Sequence, residues 1–159
     1  MEYIHANKDA PSAGGCVFCE LLDGASEEGE RILARGELAF ATLAKYPYNP
    51  GHLLVLPTRH VGEFEELTVD ENVEISSLLQ RSIRALRAAA DPHAFNVGLN
   101  LGRVAGAGLP DHLHWHVVPR WGGDTNFMPV IGETRVLPEL LSESYEKLAP
   151  LFDEDRDET

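Results

Sequence analysis

The segment His112-Leu113-His114-Trp115-His116-Val117-Val118-Pro119 alternates histidine with apolar residues. Side chains alternate between the two faces of a β-strand, so a strand over 112–119 places the three histidines on one face. Leu113, Trp115 and Val117 then lie on the opposite face, where they can pack on a hydrophobic core. Because structural histidines usually occur singly, three imidazoles on one strand face indicate chemistry.

Two kinds of chemistry need such an arrangement. Three histidines can hold a zinc ion in a hydrolytic enzyme. Alternatively, a neutral imidazole can attack phosphorus as a nucleophile. The glycine-rich loop 102–108 lies just before the histidine segment and offers backbone N–H groups to a phosphate. The histidine segment alone leaves both interpretations open.

The segments around the histidines predict an α+β domain with a mostly antiparallel sheet, one long helix and a C-terminal helix. Arg35-Gly36 lies between two short apolar runs, which indicates a hairpin. Thr68 and Glu71 fit a capping box at the start of the long helix, which is predicted to end at about Ala90. The predicted strands cover 32–34, 38–43, 52–56, 94–101 and 112–119, and the predicted helices cover 17–22, 68–90 and 138–151.

The chain of 159 residues fits one domain. Residues 1–15 predict a flexible lead-in, 16–151 the domain, and 152–159 an acidic tail. The formal net charge is −13, yet residues 31–138 hold 11 acids and 10 bases, so the acidity lies near the two ends. This charge argues against a protein that coats nucleic acid or binds an anionic membrane, but it does not exclude a small polyphosphate.

Cysteine usage and hydropathy favour a cytoplasmic protein. The sequence shows neither a secretory signal pattern nor an apolar run of transmembrane length. Its two cysteines, Cys16 and Cys19, are too few for a disulfide framework. They could form a buried structural pair, a redox pair or half of a zinc site, because tetrahedral zinc needs two further ligands.

Residues 112–118 resemble the signature of the histidine triad (HIT) superfamily of nucleotide hydrolases and transferases, His-φ-His-φ-His-φ-φ with φ apolar. Further motifs match in order and spacing over roughly residues 16–130. The resemblance implies a HIT-like α+β fold and a homodimer. The matching motifs are Cys16-x-x-Cys19, Asn49-Pro50-Gly51-His52-Leu53-Leu54-Val55-Leu56-Pro57 followed by His60, and Asn100-Leu101-Gly102.

The resemblance also implies a role for individual residues. His114 would be the nucleophile on the α-phosphorus and form a nucleotidyl-histidine intermediate. His116 would donate to a phosphate oxygen or to the bridging oxygen, and His112 completes the catalytic triad. The implied substrate contacts are Asn100 and the N–H groups of Gly106, Gly108 and Leu109 at the α-phosphate, with His52 and Asn49 near the ribose or the triad. Apart from the resemblance, Arg103 and Arg120 are candidates for contacts with distal phosphates, and Trp121 is a candidate for stacking on a base. A packing aromatic is the alternative for Trp121, and surface charges are the alternative for the two arginines.

The resemblance supplies two further ligands for the cysteine pair. His60 and His112 would complete a structural zinc site with Cys16 and Cys19. His112 would then be committed to the metal, which leaves His114 and His116 for the reaction. The alternative is a metal-free variant with both thiols reduced. No organic cofactor is expected.

The segment Arg120-Trp121-Gly122-Gly123-Asp124-Thr125-Asn126-Phe127-Met128-Pro129-Val130 resembles bacterial diadenosine tetraphosphate hydrolases and phosphorylases. The predicted function is therefore cleavage of a dinucleoside polyphosphate. The histidine at position 116 resembles the hydrolases, although some bacterial phosphorylases retain it. The alternatives are a nucleotidyl transferase, an adenylyl phosphoramidate hydrolase, a nucleotide-binding regulatory module with slow turnover, and a zinc hydrolase that uses all three histidines.

The residues just before the triad depart from the family pattern. Many members have Gly-Gln-Ser/Thr-Val there, whereas this chain has Ala107-Gly108-Leu109-Pro110-Asp111. It therefore offers no Gln side chain or hydroxyl to protonate a leaving group, and Pro110 has no N–H. The sequence does not identify the leaving-group donor.

Overall fold

The computed structural model describes residues 15–24, 31–124 and 140–154. Residues 1–14 of the predicted lead-in, residues 125–130 of the segment after the triad, and residues 155–159 of the predicted tail lie outside the described residues. The described α-helices and strands are α1 Val17–Leu22, β1 Ile32–Arg35, β2 Ala39–Leu43, β3 Leu53–Pro57, α2 Val69–Ala90, β4 Ala94–Leu99, β5 Trp115–Arg120 and α3 Leu141–Glu154.

Within these residues, five strands form one antiparallel sheet in the order β1-β2-β3-β5-β4. The predicted hairpin is present, and the N–H of Gly36 donates to the carbonyl of Ala39 over 2.8 Å. β5 lies between β3 and β4, so its residues, including His116, pair with a strand on each side. The sheet and its helices confirm the α+β prediction.

The last strand differs from its predicted bounds, because it begins at Trp115 and not at His112. The pairing of Val55 with Trp115 would bring Leu113 opposite Pro57. Proline has no N–H to donate to a ladder, so the sheet pairing ends before this point. Leu113 instead donates its N–H to the carbonyl of Val61 over 2.8 Å.

Two further bounds differ from the sequence predictions. β4 ends at Leu99, whereas the predicted strand continued to residue 101. α3 begins at Leu141 and extends past residue 151 to Glu154, and its Phe152 is fully buried in the main core. The first residues of the predicted acidic tail therefore belong to the last helix.

The sheet has an apolar cluster on each face. Leu113, Trp115 and Val117 are buried in the larger cluster, to which α2 and α3 contribute. The smaller cluster lies on the other face, where Phe18 of α1 packs with Phe40 of β2. Phe18 also contacts two of the histidine rings. The predicted division of residues 112–117 between the two faces is thus confirmed.

The long helix α2 begins with the predicted capping box. Glu71 donates its N–H to Thr68 Oγ1, and the Thr68 N–H donates to Glu71 Oε2 over 2.8 Å. The helix ends at Ala90, and its C-cap Asp91 has a φ of 42° directly before Pro92. None of the helices in the described part of the chain is long and apolar enough to span a membrane.

Arg59 connects the segment after β3 to the start of α2. Its Nε lies 2.9 Å from Oε1 of the buried Glu71, and its guanidinium also donates to the carbonyl of Glu66. The hydrogen bonds from Arg59 are the main reason that the pKa of Glu71 falls from an ordinary value of 4.5 to about 2. Glu71 thus combines a helix cap with an ion pair.

Glu71→Gln should reduce the acid sensitivity of the fold. A carboxyl whose pKa is lower in the folded state stabilises the fold above its unfolded pKa, and this contribution is lost as the pH falls from about 5 to about 2. Urea unfolding at about pH 7 and about pH 2.5 measures the free energy of unfolding. Wild type should lose more of it than Glu71→Gln, and the exposed control Glu65→Gln should behave as wild type. Equal losses in wild type and Glu71→Gln would contradict this role.

Candidate functional site

Four side chains from three segments of the chain converge beside the sheet. The ligand atoms of Cys16, Cys19, His60 and His112 all lie within 4.8 Å of one another. Nδ1 of His112 lies 3.3 Å from Sγ of Cys16 and 3.7 Å from Sγ of Cys19, and Nδ1 of His60 lies 3.6 Å from Sγ of Cys19. Ligands of a tetrahedral zinc ion are separated by about 3.3–3.8 Å. The group can therefore hold one metal ion.

His112 is held in the tautomer that a metal ligand requires. Its Nε2–H donates to the carbonyl of Pro57 over 3.0 Å, so Nδ1 keeps its lone pair and faces the two sulfur atoms. A backbone carbonyl is a usual partner for the second nitrogen of a metal-binding histidine. Burial also lowers the pKa of His112, which favours the neutral ring.

The cysteine pair also fits a cation. Burial, with a further contribution from Cys16, raises the pKa of the Cys19 thiol to about 11. Both cysteines are free thiols. A metal ion is the usual means of stabilising two adjacent thiolates, because it supplies the compensating positive charge.

Phe18 connects the cysteine pair to the histidines. It lies between Cys16 and Cys19 in the chain, and its ring centroid lies 5.6 Å from that of His112 and 5.3 Å from that of His114. Phe18 is buried. The N-terminal helix therefore packs directly against the histidine segment.

His114 is buried and is held in one tautomer. Its Nδ1–H donates to the backbone carbonyl of His112 over 2.9 Å, so Nε2 keeps a lone pair. Burial lowers the pKa of His114, which favours this neutral form. A neutral imidazole with an available lone pair can act as a nucleophile.

The three histidines are neighbours but do not point at one centre. The ring centroids of His114 and His116 lie 5.1 Å apart. Both ring nitrogens of His112 are directed elsewhere, one toward the cysteines and one toward Pro57. This arrangement does not support a metal ion held by all three histidines.

His116 contacts a fourth histidine. Its Nδ1 lies 3.0 Å from Nε2 of the buried His52, and the backbone N–H of Tyr48 donates to Nδ1 of His52 over 3.1 Å. The Tyr48 ring stacks on His52, with centroids 4.9 Å apart and an interplanar angle of 17°. Burial, with a smaller effect of His114, lowers the pKa of His116 to about 4. The sequence analysis did not identify Tyr48 as a partner of His52. Its position four residues before His52 is the only indication of this contact in the sequence.

The glycine-rich loop follows β4 and lies at the same end of the sheet as His114. Leu99 pairs with Trp115, which places Asn100 beside the residue that precedes β5. Gly102 and Gly106 have φ values of 76° and 102°, which side chains rarely adopt. A Cβ on Gly106 would lie 3.6 Å from Nδ2 of Asn100, so these two predicted phosphate contacts are adjacent. The other predicted loop contacts, Arg103, Gly108 and Leu109, are exposed.

Asp124 accepts hydrogen bonds from three of the remaining predicted site residues. Its carboxylate accepts two hydrogen bonds from Arg120, over 2.6 and 2.8 Å, and one from the Asn49 amide over 2.9 Å. The Trp121 N–H donates to the same carboxylate over 3.2 Å. Asn49 also donates to the carbonyl of Pro119. The sequence analysis did not identify Asp124, because a single acidic residue in a sequence does not show which other residues its side chain will contact.

Known proteins resemble this chain in sequence and in fold. The HIT domain family model matches residues 25–123. A curated relative from Mycobacterium tuberculosis, named AP-4-A phosphorylase, is 51% identical over 132 residues, which cover 83% of this chain and 67% of the relative. An adenosine 5'-monophosphoramidase from Schizosaccharomyces pombe is 31% identical over 66% of this chain and 74% of its own. The crystal structure of a Zn-bound histidine triad family protein from Mycobacterium smegmatis has a TM-score of 0.72 and 25% identity, covering 88% of this chain and 94% of that one.

Proposed function

This chain belongs to the HIT domain family, and we propose that it cleaves dinucleoside polyphosphates, with diadenosine tetraphosphate as the first candidate, through a nucleotidyl intermediate on His114. The observation that carries the proposal is the buried His114, whose Nδ1–H is bonded to the His112 carbonyl so that Nε2 keeps its lone pair. The 51% identity to a relative named AP-4-A phosphorylase supports the substrate class.

The proposed reaction has two displacements at the α-phosphorus. In the first, Nε2 of His114 bonds to the phosphorus, and the bond from phosphorus to the bridging oxygen breaks with its electron pair left on that oxygen. The His114 ring becomes positively charged, and the His112 carbonyl stabilises this charge through the Nδ1–H bond. In the second, an acceptor oxygen displaces His114 and releases the nucleotide.

The acceptor decides the products. Inorganic phosphate in the second step gives a nucleoside diphosphate, whereas water gives a nucleoside monophosphate. We propose phosphate as the acceptor, because the M. tuberculosis relative is named a phosphorylase. Hydrolysis of an adenylyl phosphoramidate is the second candidate, favoured by the similarity to the S. pombe phosphoramidase.

The glycine-rich loop supplies the proposed phosphate contacts. We assign the α-phosphate to Asn100 and to the N–H groups of Gly106, Gly108 and Leu109, and the distal phosphates to the exposed Arg103. Arg120 is paired with Asp124, so its contact with a phosphate would require this pair to open. We propose that Arg120 and Asn49 hold the segment on which Trp121 stacks against a base.

We propose that the Cys16, Cys19, His60 and His112 group binds zinc. Two thiolates and two imidazoles suit this ion, and four protein ligands are typical of a structural rather than a catalytic site. The ion would attach the N-terminal segment to the histidine segment through His112. The Zn-bound M. smegmatis relative has the same fold with a TM-score of 0.72, which supports the assignment.

We further propose a cytoplasmic homodimer. β4 is an edge strand of the described sheet, and an edge strand offers its unpaired backbone groups to another chain. Val97 lies opposite Val117 on the core face, yet its side chain is 45% exposed. A second copy against this edge would cover it. The free thiols at Cys16 and Cys19 favour a reducing compartment.

Incubation with diadenosine tetraphosphate, with and without inorganic phosphate, tests the proposed function by product chromatography. Phosphorolysis should give ADP and ATP only when phosphate is present. AMP and ATP in its absence would identify an asymmetric hydrolase. No cleavage under either condition would refute the function, and two ADP molecules without added phosphate would refute attack at the α-phosphorus.

His114→Ala serves as the variant for the same assay. Loss of the nucleophile should lower turnover about a thousandfold or more, while nucleotide binding measured by calorimetry stays close to wild type. Circular dichroism checks that the fold is retained. Turnover near the wild-type rate would remove His114 from the role of nucleophile.

Elemental analysis of protein purified without chelator tests the zinc proposal. Wild type should contain about one zinc ion per chain, as a four-ligand site requires. His60→Ala should lose most of it and melt at a lower temperature, because a bound ion stabilises the folded state. His93→Ala, which removes another exposed histidine, should keep the metal. Wild-type protein without zinc would exclude the site.

Light scattering after size exclusion tests the dimer. Wild type should have twice the mass of one chain. Val97→Lys places a charge on the proposed interface and should shift the mass toward the monomer, because an unpaired buried charge is costly. Leu140→Lys, at an exposed position away from β4, should leave the dimer intact. A monomeric wild type would disprove this assembly.

A further inference from the structure

The turn that follows β5 is held by hydrogen bonds at both of its ends. The Asp124 N–H donates to the carbonyl of Trp121 over 3.1 Å, and the Trp121 N–H donates to the Asp124 carboxylate over 3.2 Å. Gly123 has a φ of 85°, which glycine adopts without strain. The Trp121 side chain is partly exposed at the start of this turn. The backbone of the turn therefore sets the direction of the Trp121 ring.

His93 contacts the middle of the same turn. The Gly122 N–H donates to Nδ1 of His93 over 2.8 Å. A Cβ on Gly122 would lie 3.4 Å from that nitrogen, so the imidazole packs directly against the turn. The pairing of β4 with β5 ends at Ala94 and Arg120, and His93 is the next residue beyond Ala94. The His93 side chain thus connects the two segments one step past their last backbone pair.

The loop that carries His93 is short and has little backbone freedom. Residues 91–93 are all that join α2 to β4. Asp91 has a φ of 42°, and the buried Pro92 has its φ fixed by its ring. His93 is consequently presented to Gly122 from a fixed position.

We propose that His93 is a positioning residue whose neutral imidazole holds the turn 121–124 so that Trp121 can stack on a base, and that protonation of His93 weakens nucleotide binding. This inference rests on the proposed function, in which Trp121 contacts a base. It assigns a role to a histidine that lies outside the triad and outside the proposed zinc ligands.

The donor in this hydrogen bond determines the direction of the pH effect. A backbone N–H can only donate, so Nδ1 of His93 must accept and carries no proton while the bond is present. An imidazolium carries a proton on both nitrogens and can accept on neither. Imidazoles usually titrate between about pH 5 and 8. The bond is therefore present at the upper end of this range and is lost as the pH falls, and nucleotide affinity falls with it.

The charged groups around His93 do not share this titration. The segments that meet there are its own loop, the last turn of α2 and the end of β5. Their charged residues are Asp91, Arg87 and the pair of Arg120 and Asp124, whose Nε and Oδ2 atoms lie 2.6 Å apart. Carboxylates and guanidinium groups do not normally change charge between about pH 5 and 8, whereas an imidazole does. The contact between His93 and Gly122 is therefore the part of this region that responds to pH.

NMR of the free protein tests the contact without substrate. At about pH 8, a coupling across the hydrogen bond should connect the Gly122 nitrogen to Nδ1 of His93, and the Trp121 indole N–H should relax as an ordered side chain. Both signs should be lost at about pH 5.5. His93→Asn, whose side-chain oxygen can accept the Gly122 N–H but cannot take up a proton, should keep Trp121 ordered at both pH values. His93→Ala should keep it ordered at neither.

Two NMR results would overturn the assignment. One is the absence of the coupling in wild type at about pH 8. The other is equal order of Trp121 in the Asn and Ala variants. Because no nucleotide is present, these results are separate from any failure of the proposed function.

Calorimetry measures the consequence for binding. The ligand is a diadenosine tetraphosphate with a methylene group in place of the bridging oxygen next to each α-phosphorus, whose internal phosphates carry no second proton. Wild type should bind it about fivefold more weakly at about pH 5.5 than at about pH 8, the effect of losing one hydrogen bond. His93→Asn should bind tightly at both pH values, and His93→Ala weakly at both. Burial lowers the pKa of His116 to about 4, so this histidine stays neutral over the same range.

The kinetics of cleavage separate positioning from chemistry. With diadenosine tetraphosphate at about pH 8, His93→Ala should raise KM about fivefold and leave kcat near the wild-type value, because the base contact is equal in ground state and transition state. Equal affinities of the Asn and Ala variants, or equal pH dependence in wild type and His93→Asn, would overturn the proposal. A wild type that binds the analogue at neither pH would overturn both this inference and the proposed function, whereas the NMR comparison isolates the contact itself.

Discussion

The hydrogen bond from His114 Nδ1 to the backbone carbonyl of His112 is the contact on which the site depends. It selects the tautomer of His114, and it fixes the direction of the ring that the proposed reaction uses. Both residues lie in the segment just before β5, which begins at Trp115. The pairing of β3 with β5 ends at Val55 and Trp115, and Pro57 has no N–H with which to continue it.

His112 joins this hydrogen bond to the proposed metal site. Its carbonyl accepts from His114, its Nε2–H donates to Pro57, and its Nδ1 faces the two cysteines. Phe18 makes a second connection, because its ring contacts both His112 and His114. A metal ion in the cysteine and histidine group would therefore hold His114, the proposed nucleophile, in place without contacting the substrate. The same arrangement fits a structural role for His112 and leaves His114 for the proposed reaction.

The sequence predicted those features that a short periodic pattern encodes. Alternation over 112–117 predicted the two faces of β5, and Thr68 with Glu71 predicted the start of α2. It did not predict the contacts between distant residues. Asp124 binds Asn49 and Arg120 only because the loop before β3 folds back onto the end of β5. Tyr48 is recognisable as a partner of His52 only when its backbone N–H is seen to point at the ring.

The stereochemical course at the α-phosphorus is the most direct test of a covalent intermediate on His114. A diadenosine tetraphosphate with a chiral sulfur-substituted α-phosphorus would be cleaved, and the configuration of the nucleotide product would be determined by phosphorus NMR. Two in-line displacements, first by His114 and then by the acceptor, predict net retention. Net inversion would show one direct displacement and would contradict a covalent intermediate on His114.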